Sequence, residues 1–213
     1  MKVRVRLAAL CAAIITLAGC QNLTADKKAV KTQNAYEKIQ SQLVNMQSYE
    51  CSATVEYKSN KGSNVYDTVQ RCRITGEYRI EVTGPEKVAG NITLTDGKTI
   101  YQYNTRISGK VAVSTRESQE RSEIFLTSFI KNYLKSNEVS ISAAKMSDAP
   151  CTVLEAQVPG GHPYLSSEKL WVDNQTRKPL KMIVYDPQGS ERIIVTYKTF
   201  EYNVNLDDTI FKV

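Results

Sequence analysis

From about residue 49 to its end, one helical segment apart, the chain is cut into short segments of period two, divided by turn residues. Nothing in that stretch has the strand-helix-strand rhythm of a parallel sheet. Tyr49, Cys51, Ala53, Val55 and Tyr57 alternate with Glu50, Ser52, Thr54 and Glu56. Side chains two apart on a strand share a face, so this segment has one apolar and one polar side. Further strands are expected at Val65–Ile74, Tyr78–Val82, Asn91–Leu94, Thr99–Tyr103 and Lys110–Thr115. A second series follows at Val139–Ala143, Thr152–Gln157, Glu168–Asp173, Leu180–Tyr185 and Arg192–Phe200. Turn chemistry separates them, as in Asn60-Lys61-Gly62-Ser63-Asn64, Gly84-Pro85, Asp96-Gly97 and Asp186-Pro187-Gln188-Gly189. Tyr outnumbers Phe by 12 to 4, which also favours sheet.

Two segments carry a helical period instead. Asp26 is placed to cap a helix from Lys27 to about Gln47, with Tyr36, Ile39, Leu43 and Met46 in one apolar stripe. A second helix is expected from Glu117 to about Lys135, its apolar face made by Ile124, Phe125, Phe129, Tyr133 and Leu134. Two helices are too few to cover both faces of so large a sheet. The expected fold is therefore α+β: one curved antiparallel β-sheet forming a half-open barrel, its concave face covered by two or more helices over an apolar interior. Leu206–Phe211 reads as a turn and a last edge strand. Residues 26–213 form one domain, without internal repeats or low-complexity segments.

The N-terminus says where such a chain works. Lys2, Arg4 and Arg6 precede an apolar run from Leu7 to Ala18, which ends in Leu17-Ala18-Gly19-Cys20. This is the layout of a secretory signal peptide, and the run is too short to span a bilayer comfortably. The last four residues look like a bacterial lipobox. Residues 1–19 are then a lipoprotein signal peptide and residues 20–25 a lipidated tether. Cys20 becomes the acylated first residue and holds the chain on the extracytoplasmic side of a membrane. Removing the signal leaves 25 Lys/Arg against 22 Asp/Glu, so the formal charge of +6 falls to +3. No run of basic residues marks a nucleic-acid partner.

Cys11 leaves with the signal, and Cys51, Cys72 and Cys151 remain beside Cys20. A hairpin centred between Lys61 and Gly62 pairs residue 57 with 66, 55 with 68 and 51 with 72. Cys51 and Cys72 would then stand directly opposite each other, within reach of a disulfide. A slip in register leaves them as two reduced, core-facing thiols. Cys151 has no partner in this arrangement and reads as a buried thiol or an intermolecular bridge.

Catalytic signals are weak. His162 is the single histidine, in a Gly160-Gly161-His162-Pro163 loop, and no Gly-x-Ser-x-Gly elbow accompanies it. Cys51, Cys72, Cys151 and His162 lack the close ligand pairs of a structural zinc site, so no metal and no cofactor is expected. Asp207-Asp208 points to opposite sides if extended, a poor acid/base dyad. Trp171, between Leu170 and Val172, reads either as core or as the lining of a ligand cavity.

Several stretches carry a likeness to a known family. Met46-Gln47-Ser48-Tyr49-Glu50-Cys51 opens the first strand after a helix, and Gln70, Tyr78-Arg79-Ile80-Glu81 and Gly90 follow in order. Glu168-Lys169-Leu170-Trp171-Val172, Pro179-Leu180-Lys181, Tyr185-Asp186-Pro187-Gln188-Gly189, Phe200-Glu201-Tyr202-Asn203 and Asp207-Asp208-Thr209-Ile210-Phe211 complete the series. Together they resemble the LolA/LolB/RseB-like lipoproteins, in particular their clostridial branch of germination lipoproteins. The resemblance implies a half-barrel closed by helices and a protein without chemistry of its own. Such a lipoprotein partners a spore-cortex N-acetylmuramoyl-L-alanine amidase of the CwlD type, for muramic-δ-lactam formation and germination. It also implies a homodimer formed by strand exchange. The wider family implies an alternative, a lipid or lipoprotein carrier or acceptor that uses the apolar cavity. A permanent anchor at Cys20 weighs against a shuttling carrier, because each buried CH₂ contributes about 0.8 kcal/mol to membrane binding.

Overall fold

The computed structural model describes residues 34–107, 110–114, 122–159 and 164–213. Cys20, the signal peptide, the tether, His162 and the start of the expected second helix lie outside these residues. A helix, α1, spans 34–44. Among the described residues eleven strands follow in chain order: β1 (Ser48–Ser59), β2 (Gly62–Arg73), β3 (Tyr78–Gly84), β4 (Asn91–Thr95), β5 (Thr99–Asn104), β6 (Lys110–Ser114), β7 (Val139–Met146), β8 (Ala149–Gln157), β9 (Ser167–Asp173), β10 (Pro179–Tyr185) and β11 (Glu191–Tyr202). A helix, α2 (Leu126–Lys135), lies between β6 and β7.

All strands join one antiparallel sheet in the order β6-β5-β4-β3-β2-β1-β11-β10-β9-β8-β7. The first and last strands meet at its centre, and the sheet is a pair of meanders stitched along β1 and β11. Its edges are β6 and β7. Long β1, β2 and β11 have 12 residues each; β1 carries the alternation that marks it in the sequence, whereas β11 buries Ile193, Ile194 and Val195 in succession.

The curvature can be read from what α2 touches. Phe125, at the entry to α2, packs its ring 4.6 Å from that of Tyr78 on β3. Asn132, seven residues on, donates through Nδ2 to Glu168 Oε1 on β9 at 2.8 Å. Five inter-strand steps separate β3 from β9, about 24 Å in a flat sheet at ~4.8 Å per step. Seven helical residues rise only about 10 Å. Side chains cover part of the gap and the sheet curls to cover the rest, helped by register shifts at Ser52/Ala53, Asp67/Thr68, Val184/Tyr185 and Pro179/Lys181.

Both helices pack on the concave face. Ile39, Leu43 and Met46 from the α1 segment are buried there, with Tyr36 packed partly against them, as the stripe requires. From the α2 side come Ile124, Phe125, Leu126, Phe129, Ile130 and Tyr133.

Two expected elements differ. The second helix is shorter: a 3-10 turn at Ser122–Ile124, then extended Phe125 (φ −98°, ψ 135°), then α2. Ile124, Phe125 and Leu126 are all buried, and three consecutive residues cannot share one face of a regular helix. The chain breaks at Phe125 so that each finds the core. The C-terminal edge strand is instead a 3-10 helix, Asp208–Phe211. Asp207 Oδ1 caps it by accepting from the Thr209 N–H at 2.8 Å. Arg73 holds it to the sheet, pairing with Asp208 at 2.7 Å and stacking 4.8 Å over the Phe211 ring.

Candidate functional site

The concave interior is the place where a protein of this shape would hold a ligand, and among the described residues large side chains occupy it. Tyr49, Ile39, Met46, Phe129, Leu126, Leu154, Leu170 and Met182 are fully buried between sheet and helices. The recess between α1 and α2, bordered by Leu43, Phe129 and Tyr133, has a volume of only about 10 Å³.

Polar links pin α2 inside this apolar layer. The Leu126 N–H, in the first turn of α2, donates to Tyr49 Oη at 3.3 Å. Tyr49 O–H in turn donates to Gln70 Oε1 on β2 at 3.1 Å. Burial, then the neighbouring Cys72 and Cys51 thiols, push the Tyr49 phenol well up, so it keeps its proton as a donor. At the other end Asn132 holds Glu168, whose carboxyl is buried without exposure. Burial raises the Glu168 pKa to about 7, while the Asn132 hydrogen bond opposes the shift. The hydroxyls of Tyr36 and Tyr133 meet at 3.2 Å and join α1 to α2. Glu168 Oε2, Gln70 Nε2 and Tyr197 Oη have no hydrogen-bond partner among the described residues.

The hairpin register is shifted by two from the expected one. Its turn is centred between Asn60 and Lys61, Gly62 opens β2 with φ 137°, and Tyr57 pairs with Asn64. Cys51 therefore faces Gln70 and Cys72 faces Tyr49, so the direct opposition of the two cysteines does not occur. Both lie on the concave side as buried free thiols. Diagonal positions are about 7–8 Å apart, beyond disulfide reach. Burial pushes Cys51 well up and Cys72 to about 12. Cys151 is also a buried free thiol.

Trp171 does not line the interior. On β9 the inward positions are Glu168, Leu170 and Val172, and period two sends Trp171 to the convex face. There it is half-buried opposite Val153 and Lys181, with the Lys181 ammonium 6.0 Å from its ring centre. Among the described residues no three His, Cys, Asp or Glu side chains cluster as metal ligands, and no helix is long and apolar enough to cross a membrane. Asp207 and Asp208 serve the C-terminal turn, as cap and as Arg73 partner.

Among the described residues no strand pairs with the outer side of β7, which exposes Val139 and Ile141. Its first charged residue is Lys145.

A family model described as sporulation protein YdcC-like matches residues 4–211. The chain belongs to the YdcC-like sporulation protein family. This member is 33% identical to GerS in the solved structure of the CwlD amidase from Clostridioides difficile in complex with the GerS lipoprotein. That match covers 80% of this chain and 95% of the other, with a TM-score of 0.48. An uncharacterised conserved protein from Thermus thermophilus is 11% identical, with a TM-score of 0.51 over 89% of this chain and 93% of its own, a likeness of fold. A LolA superfamily protein from Nitrosomonas europaea is 15% identical over 85% of this chain and 97% of its own, with a TM-score of 0.45. Comparison with curated proteins gives no match. The fold expected for this YdcC-like protein, a curved open antiparallel sheet covered by helices, is the one found.

Proposed function

We propose that this YdcC-like protein is a lipid-anchored, non-catalytic partner of a spore-cortex N-acetylmuramoyl-L-alanine amidase of the CwlD type. In that role it supports muramic-δ-lactam formation and germination. The observation that carries the reading is the 33% identity, over 80% of the chain, to the GerS lipoprotein solved in complex with the CwlD amidase. Membership of a sporulation family supports the setting. The lipobox-like Leu17-Ala18-Gly19-Cys20 supports export, acylation at Cys20 and residence on the outer side of the cell or forespore membrane. The exposed β7 edge suits pairing with a partner strand, and it also suits a strand-exchanged homodimer. The alternative, a lipid or lipoprotein carrier or acceptor, draws less support from the large side chains that occupy the concave face among the described residues.

The test is reconstitution. The chain and the amidase of the same organism are co-expressed and purified through a tag on one of them. Recovery of both in near-equal amounts, by light scattering a discrete complex, is the expected result. An amidase that never co-purifies, and whose activity the lipoprotein leaves unchanged, overturns the reading.

A further inference from the structure

An open cleft of about 410 Å³ lies at one end of the sheet, where the β1–β2 turn meets the β10–β11 turn. We propose that this cleft binds a saccharide, specifically a strand of N-acetylated amino sugars that carries carboxylates.

The floor of the cleft is built and fixed. Asp186 is only 4% exposed. It accepts from the backbone N–H groups of Gln188 at 2.9 Å and Ser190 at 2.8 Å, and it holds Arg192 through Nε at 2.7 Å and Nη2 at 2.6 Å. Arg192 Nη1 then donates to Asn60 Oδ1 at 3.1 Å, which ties the two turns together. Lys58 is paired with Glu191 at 2.7 Å. The charges of Arg192 and Lys58 are thus already neutralised, so the cleft is not built for a phosphate, which needs uncommitted cations or a nest of free N–H groups.

The rest of the lining is different in kind. Asn60 Nδ2 and the Gln188 side-chain amide make no hydrogen bond among the described residues, and Lys61 Nζ makes no ion pair there. Beside them Tyr164 is 72% exposed. An aromatic ring next to planar amides that donate and accept is complementary to a sugar, which has an apolar C–H face and a rim of hydroxyls that do both. Lys61 adds one positive charge, which selects a sugar that bears a carboxylate. The volume lies at the lower end of small-ligand pockets, about 300–1,000 Å³. The saccharide class follows from the cleft. That the strand is the acetylated, lactyl-bearing glycan of the cell wall rests on the amidase-partner reading.

The experiment is an NMR or calorimetric titration of the purified full chain in detergent. Three probes are used: a peptide-free cell-wall tetrasaccharide, chitotetraose, which has the acetamides without the carboxylates, and maltotetraose, which has neither. The expected order of affinity is the cell-wall fragment, then chitotetraose, then maltotetraose. Tyr164→Ala, an exposed position, is expected to weaken the first two at least tenfold. Lys61→Gln is expected to weaken the cell-wall fragment several-fold and leave chitotetraose unchanged. No saturable binding of any probe, or binding that Tyr164→Ala leaves intact, overturns the proposal. Amidase co-purification is run on the same variants and is expected to be unchanged. A wild-type chain that fails to capture the amidase yet binds sugar removes the partner reading and leaves the cleft standing.

Discussion

Asn132 on α2 and Glu168 on β9 are joined by a 2.8 Å hydrogen bond that runs from the half-buried amide to a carboxyl buried in the apolar layer between helix and sheet. The other carboxylate oxygen has no partner among the described residues. An ionised carboxylate there lacks compensation, which is why burial moves its pKa from 4.5 to about 7. The sign of the pH effect follows. Below the unfolded value both states hold the proton. Between pH 4.5 and about 7 the unfolded chain releases it while the folded chain keeps it, so stability falls as pH rises through that window. The loss from this group is at most about 3 kcal/mol. Glu168→Gln keeps a carbonyl for Asn132 and cannot ionise. Urea unfolding at pH 5, 6, 7 and 8 is expected to show the variant gaining on the wild type as pH rises. Parallel curves for the two proteins would remove Glu168 as the cause.

The second anchor of α2 is neutral. Tyr49 O–H lies between the Leu126 N–H and Gln70 Oε1. Tyr49→Phe keeps the ring stacked on Phe200, now 5.1 Å away, and removes only the hydroxyl. It leaves a buried N–H and a buried carbonyl unpaired, at a cost of about 1–3 kcal/mol. Hydrogen exchange should locate the loss: the Leu126 amide is expected to exchange faster by tenfold or more, while amides of β1 follow global stability. Unchanged protection at Leu126 would show that the hydroxyl does not hold the helix.

Sequence patterning carries the strands well because alternation and burial express the same geometry. The Ile39, Leu43, Met46 stripe and the β1 alternation both end in the core. The hairpin register was out of reach of patterning. A slip of two residues keeps every side chain on its face, so Cys51 and Cys72 stay inward in either register. Only the turn decides between them, and Asn60-Lys61 takes the corner instead of Lys61-Gly62. Trp171 misleads for another reason. Its size suggests the core, yet Glu168, Leu170 and Val172 are the inward set, because Asn132 receives the carboxyl that size and charge would place outside. That contact spans 36 residues and leaves no local trace. The saccharide cleft is similar: Asn60, Asp186 and Arg192 each read as turn or surface residues until the fold brings two distant turns together.

The three described cysteines are expected to be inert in the folded protein. Thiolate is the reactive form, and burial holds Cys72 near 12 and Cys51 well above its ordinary value. Reaction with a thiol reagent at pH 8 should therefore be slow for Cys51, Cys72 and Cys151 and become complete in denaturant. Intact mass under non-reducing conditions should show all three as free thiols. A fast-reacting Cys51 or Cys72, or a mass lower by two hydrogens, would mean that the β1–β2 register or its packing differs in solution.

Anchoring is the remaining property to test, and Cys20 decides it. Two acyl chains on one cysteine bury many methylenes, each contributing about 0.8 kcal/mol, enough to hold the protein in one membrane. The purified wild-type chain is expected to begin at Cys20 and to carry a mass excess of a diacylglyceryl group. It should follow the detergent phase in a two-phase partition. Cys20→Ala is expected to lose the excess, and the chain freed of residues 1–19 should move to the aqueous phase, since its own charge excess is only +3. The fold should be unchanged, because the described core packs residues of α1, α2 and the sheet against one another without Cys20. A wild-type chain that begins elsewhere, or that carries no added mass, would reduce the lipobox to an ordinary signal sequence and leave the amidase-partner reading to stand without its membrane tether.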